Sequence, residues 1–150
     1  MPRLLIVHHT PSPACQAMFE AVVRGTSDPD LADVEVVRRA ALSATAHDVL
    51  HADGVVLGTP ANIGYISGAL KHFFDTVYYP VLDSGRGTPF GCYIHGNQGT
   101  EGAERAIATI TNGLGWQRVA ADVVVAGEPS TTDLGRCAEM GATVAATLLG

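Results

Sequence analysis

The 150-residue chain predicts a doubly wound α/β fold, a parallel sheet of five strands in the order 2-1-3-4-5 with helices on both faces. Two observations carry that expectation. Apolar runs of strand length alternate with amphipathic runs of helix length along the whole sequence, as right-handed βαβ crossovers require. The first, third and fourth apolar runs each empty into a loop rich in Gly, Pro or Ser, and in such a sheet those loops meet at the carboxyl edge, where ligands bind. Composition agrees, because 47% hydrophobic residues, 16% charged residues and 17 glycines suit tightly packed helices on a buried sheet. The length suits one domain, 1–150, with one sizeable core.

The elements follow in order. Leu4 to His8 reads as the first strand, and Ser12-Pro13 opens a helix with Ser as cap and Pro in its first turn, burying Met18, Ala21 and Val22. Val34 to Val37 fits a second strand, and Thr45 to His51 a short helix or turn. Gly54 to Gly58 is the third strand. Pro60 and Gly64 end it, and Ser67 caps a helix whose Leu70, Phe73, Phe74 and Val77 recur at helical spacing. After a turn-rich connection from Tyr79 to Pro89, Phe90 to His95 forms strand four and Gly96 to Gly99 its loop. Thr100 is the expected cap of a helix striped by Ala103, Ala106, Ile107, Ile110 and Leu114, with Gly113 and Gly115 as candidate terminators. Val119 to Ala126 supplies strand five. A last helix from about Thr132 is expected to bury Leu134, Ala138, Gly141, Ala145 and Leu148.

Charge and composition exclude several classes. A formal charge of -6 with nine scattered Lys and Arg residues offers no basic stripe for a phosphate polymer, so no nucleic-acid partner is expected. No apolar run approaches the roughly 20 residues of a bilayer span, and the run before His8 is too short for a signal peptide. A cytoplasmic protein without a membrane partner is the expectation. Cys15, Cys92 and Cys137 are odd in number and far apart, which suggests neither a disulfide framework nor a zinc site.

Three loops stand out. His9-Thr10-Pro11-Ser12-Pro13-Ala14-Cys15 sets two hydroxyls and a helix start at the end of strand one, a place suited to a phosphate, although Pro11 and Pro13 supply no N–H. Pro60-Ala61-Asn62-Ile63-Gly64-Tyr65 follows strand three and leaves amides free for a ligand. His95-Gly96-Asn97-Gln98-Gly99-Thr100-Glu101-Gly102 follows strand four. Its glycines are spaced Gly-x-x-Gly-x-x-Gly, which is not the dinucleotide fingerprint, and it lies after the wrong strand for one.

Thr59, Pro60, Gly64, Ser67, Gly68, Lys71, Phe73 and Asp75 match in order the pattern Thr-Pro-x-x-x-Gly-x-x-Ser-Gly-x-x-Lys-x-Phe-x-Asp. By these residues the chain resembles flavodoxin-like FMN proteins, above all the quinone-reductase and NAD(P)H-dependent FMN-reductase branch, and the likeness extends over nearly the whole chain. The resemblance implies FMN as cofactor. It implies that Thr10, Ser12, Ala14 and Cys15 hold the phosphate. Pro60, Ala61, Asn62, Ile63, Gly64 and Tyr65 would then meet the isoalloxazine, and His95, Gly96, Asn97 and Gly99 would follow its pyrimidine side. NADH or NADPH would be the electron donor, and a quinone, a similar small acceptor or a redox protein the partner. A homo-dimer or tetramer is the assembly common in that branch. The strand-four loop carries no aromatic to cover the second ring face, which favours an oxidoreductase over a flavodoxin-type electron carrier. A flavin-free interaction module is the other alternative.

Other residues point less far. His47 and His51 share a helix face but lack a third metal ligand, so no metal site is expected. His8 and His9 alternate across the sheet, and His95 is the histidine expected nearest a ligand. Ser12 lacks the nucleophile elbow of a hydrolase. The end of strand one lacks the acidic residues of a receiver domain. Lys71 and Asp75 are spaced for a surface ion pair. No catalytic residue is assigned.

Overall fold

The computed structural model describes residues Met1–Gly150. Strand β1 (Arg3–His8) lies between β2 (Glu35–Ala40) and β3 (Gly54–Asn62), and β5 (Pro89–Gly96) lies beyond β3, all parallel. Two short strands, β6 (Gln117–Arg118) and β7 (Val123–Ala126), both pair parallel with β5 and together occupy the fifth position. The expected order 2-1-3-4-5 is therefore the order observed. Helices α1 (Pro13–Thr26) and α5 (Thr131–Thr147) cover one face. On the other face lie α2 (Ala46–Leu50), α3 (Gly68–Val81) and α4 (Glu101–Leu114).

Strand alternation explains this division. Leu4, Ile6, Val56 and Tyr93 point into a core shared with Met18 and Val22 of α1 and Cys137, Met140 and Val144 of α5. Leu5, Val7, Val55, Leu57, Cys92 and Ile94 point to the opposite core, built around Phe73, Phe74 and Val77 of α3 and Ala103 and Ile107 of α4. Both faces are buried, so the central strands read as continuous apolar runs.

The helix starts at Ser12 and Ser67 are as expected, each hydroxyl accepting from the N–H three residues on. Thr45 and Asp48 form a reciprocal cap on α2. Gly115 ends α4 in the left-handed region at φ 73°, whereas Gly113 lies inside the helix.

Four expectations are corrected. Strand three runs four residues further than expected, to Asn62, and turns back into β4 (Tyr65–Ile66), an antiparallel hairpin pairing Asn62 with Tyr65 and Ala61 with Ile66. Ile63 (φ 50°) and Gly64 (φ 74°) form its two-residue turn, both in the left-handed region as a type I′ hairpin requires. Thr100 is not a side-chain cap, because its hydroxyl donates to Glu104 at 3.0 Å. The fifth strand is broken: two extra residues lie between its halves relative to β5. Asp122 stands at the break. Its carboxylate accepts from the Cys92 thiol at 3.0 Å and pairs with Arg118, whose guanidinium stands 4.9 Å from the centre of the Phe90 ring. The buried stripe of α5 is Cys137, Met140, Gly141, Val144 and Ala145, which leaves Leu134, Ala138 and Leu148 at its flanks.

Candidate functional site

The carboxyl ends of the parallel strands set His8 beside Gly58 and Pro60 beside His95 in the ladder. The three loops therefore leave the sheet side by side. A cleft of about 590 Å³ opens there. Ser12, Pro13, Ala14 and Ala17 of the α1 start form one wall, and Gly127, Glu128, Pro129 and Leu134 of the β7–α5 connection form the other. His95 and Asn97 lie between.

The α1 wall is a donor surface. Ser12 Oγ accepts from Cys15 N–H at 3.2 Å and its carbonyl accepts from Gln16 N–H at 2.9 Å. Ala14 N–H has no protein partner, Ser12 keeps its hydroxyl hydrogen, and the positive end of α1 adds a favourable field for an anion. No Lys or Arg lines the cleft. The Cys15 side chain is buried beneath the loop, where burial raises its thiol pKa, so only its backbone belongs to the loop surface. Thr10 is half-buried, and its Oγ1 lies 2.6 Å from Nδ1 of His8, whose ring stacks on Phe19 at 4.0 Å between centroids.

His95 is only 8% exposed. Its Nε2 donates to the Gly127 carbonyl at 2.7 Å, and the Gly127 N–H donates to the Gly96 carbonyl at 3.0 Å. These two bonds fasten the β7–α5 connection to the exit of β5. They also require hydrogen on Nε2, so in the neutral ring Nδ1 carries the lone pair.

The β3–β4 hairpin stands next to this cleft. At its base Thr59, fully buried, accepts from the Ser67 N–H at 3.2 Å and donates within a pair of acceptors, the Pro60 carbonyl at 2.8 Å and Ser67 Oγ at 3.0 Å. Pro60 is buried and Ala61 half-buried, while Asn62, Ile63, Gly64 and Tyr65 are exposed. The turn rests on α4: a Cβ at Gly102 would fall 1.7 Å from the Gly64 carbonyl oxygen. Gly96 likewise abuts Ala61, since a Cβ there would lie 3.4 Å from that of Ala61. The hairpin and the β5–α4 loop thus form one continuous surface, with Asn97 and Gly99 (φ 44°) exposed on it.

Of the sequence-derived residues, Ser12, Ala14, His95 and Asn97 share the cleft, and Pro60 to Tyr65 with Gly96 and Gly99 build the surface beside it, while Thr10, half-buried at the start of the first loop, and Cys15, buried beneath it, do not line the cleft. Ala17, Gly127, Glu128, Pro129 and Leu134 were missed. The Gly-Glu-Pro-Ser run at the end of the last strand is the signal that could have found them. Away from the site, the rings of His47 and His51 lie 4.0 Å apart between centroids, tilted by 36°, and His51 Nδ1 bonds the His47 carbonyl. No group of three or more His, Cys, Asp or Glu residues is placed to hold a metal ion, and no helix is long and apolar enough to cross a membrane.

Comparison with known proteins places this architecture. The WrbA-like flavodoxin of Agrobacterium tumefaciens has the same fold, with a TM-score of 0.79 at 19% identity over 99% of this chain and 98% of that one. Rubredoxin oxygen:oxidoreductase of Desulfovibrio gigas aligns at a TM-score of 0.83 and 15% identity, over 98% of this chain but 36% of its own. A flavodoxin of Aquifex aeolicus (strain VF5) is 36% identical over 77 residues, which is 51% of this chain and 40% of that relative. The family model of NADPH-dependent FMN reductase matches residues 11–130. That span takes in the second and third loops, the first loop from Pro11 onward and every strand after β1, and the chain belongs to this flavodoxin-like, FMN-binding family.

Proposed function

We propose that the chain binds FMN noncovalently across the carboxyl edge of its sheet and passes electrons from NADH or NADPH to a quinone or similar acceptor. The observation that carries the reading is the cleft at the α1 start, opening beside the joined surface of hairpin and β5–α4 loop. Its chemistry fits the cofactor. Ala14 N–H and the Ser12 hydroxyl are unspent donors for phosphate oxygens, and the helix field favours the dianion without a cation. Glu128 on the opposite wall and Asn97 between the walls offer acceptors suited to hydroxyl groups of a ribityl chain.

Bound FMN would supply the redox chemistry, taking electrons from one partner and giving them to the next. The chain supplies position and field. The hairpin and the β5–α4 loop give the ring a floor and backbone dipoles; Ile63 and Tyr65, exposed on that side, give apolar contact. No aromatic stands in residues 96–102 to close the other face, which leaves room for a second reactant. The likeness to a flavodoxin over half of the chain supports a second reading, an electron carrier with no NAD(P)H activity of its own.

Anaerobic titration separates the two. Saturable quenching of FMN fluorescence at micromolar protein, followed by bleaching of the flavin band on adding NADH or NADPH, is the expected result. Binding without bleaching would move the assignment to the electron carrier, and absence of binding would leave a flavin-free interaction domain.

A further inference from the structure

His8 is engaged with the phosphate loop in a way that its sequence position does not announce. Its Nδ1 lies 2.6 Å from Thr10 Oγ1, its ring is stacked on Phe19, and its Nε2 has no protein partner. A threonine hydroxyl carries one hydrogen. If Nδ1 accepts that hydrogen, Thr10 has only lone pairs left to show, and a phosphate oxygen facing them is repelled. If Nδ1 carries a hydrogen and donates, Thr10 accepts from His8 and its own hydrogen is released toward the anion.

We infer that His8 is a positioning residue for the ligand phosphate: binding of the dianion selects the form of His8 with hydrogen on Nδ1, which turns the Thr10 hydroxyl into a donor to the phosphate. The inference rests on the FMN reading above. Burial, Arg38 and His9 all lower the His8 pKa, so the free protein near neutral pH holds a neutral ring with a single ring hydrogen to place. The stack on Phe19 limits the ring's freedom to turn away, and the loop has no Lys or Arg to take over the task. The Thr10 hydrogen matters more here than it would in a phosphate site built on cations.

The test uses histidine-labelled protein and three variants. ¹⁵N NMR should show Nδ1 of His8 becoming a protonated-type nitrogen when FMN is added and staying unaltered with riboflavin, which lacks the phosphate. By fluorescence titration, His8→Phe keeps the stack but leaves the Thr10 hydroxyl free to turn, and with its hydrogen no longer held toward the phosphate the protein should bind FMN about three- to tenfold more weakly. His8→Gln, whose amide N–H can donate to Thr10, should recover most of that loss. Thr10→Val should be at least as weak as His8→Phe, with riboflavin affinity level across the set. Should His8→Phe fold poorly, the NMR arm on the unsubstituted protein and the His8→Gln titration still decide. An Nδ1 that keeps its lone pair in the FMN complex, or a His8→Phe protein that binds FMN as tightly as the parent, would overturn the inference while leaving FMN binding intact. Failure of the unsubstituted protein to bind FMN would remove both together.

Discussion

At the scale of single residues, His8 ties stability to pH as well as to the loop. Its pKa is lowered in the folded chain from 6.5, chiefly by burial, so the unfolded chain takes up the proton more readily. Stability is therefore complete above the ordinary histidine range and is lost as pH falls through it toward the lower folded value. The expected outcome is a urea midpoint for the flavin-free protein that drops between about pH 7.5 and about pH 5.5, with a smaller drop in His8→Phe. Buried thiols behave differently. Cys92 is pushed up to about 12 and Cys137 to about 11, both mainly by burial, so they stay protonated over that interval and contribute nothing to the slope. Residue-level legibility followed local rules. Ser12, Ser67 and Gly115 could be placed from the sequence because cap and terminator chemistry involves only neighbours. Ile63 could not, since a β-branched residue at φ 50° contradicts its own preference and is held there by the hairpin it closes. Thr100 misled for the opposite reason, its hydroxyl finding Glu104 instead of an amide.

At the scale of elements, the hairpin is defined by what lies under it. Gly102 in the first turn of α4 lets the turn settle against the helix. Gly102→Ala would set a methyl group against the Gly64 carbonyl, and the exposed turn would yield before the helix, because α4 is anchored by Ala103, Ala106 and Ile107 in the core. Faster amide exchange over residues 62–66 and weaker FMN binding, with the melting temperature lowered by only a few degrees, is the expected pattern. A large fall in melting temperature with exchange at 62–66 unaltered would show that the strain is absorbed by the helix. This element was hidden in the sequence. Tyr65–Ile66 is a two-residue strand with no periodicity to detect, and Pro60 reads locally as a strand breaker although β3 continues through it. The last strand erred in the other direction: its apolar composition gave no sign that the ladder would be interrupted where Asp122 turns toward Cys92.

At the scale of the whole molecule, the two helical layers behave unequally. Helices α1 and α5 approach so closely that a Cβ at Gly25 would fall 2.0 Å from the Ala138 carbonyl oxygen. That neighbour is backbone and cannot swing aside. Gly25→Ala is expected to lose about 1–3 kcal/mol by overpacking, against the small gain that alanine normally brings to a helix interior. Denaturant unfolding measures it, and a stabilised Gly25→Ala would show that the two helices separate at little cost. The same helices carry the two walls of the cleft at their N-terminal ends, so their spacing sets its width. Topology was legible from the sequence because alternation and burial are properties of long segments. The α5 side of the cleft was not, because Gly127–Pro129 meets His95 only through a bond between residues 32 positions apart.

The break in the fifth strand also governs how the molecule can meet its own copies. One rim of the sheet offers only the two-residue β6 and the four-residue β7, set out of step, and the other is β2, which carries the exposed charges Glu35, Arg38 and Arg39. Neither rim gives a long, flat, apolar template for strand addition. Strand addition between the sheets of neighbouring molecules is therefore disfavoured at both rims, which steers any contact between copies toward helices and loops.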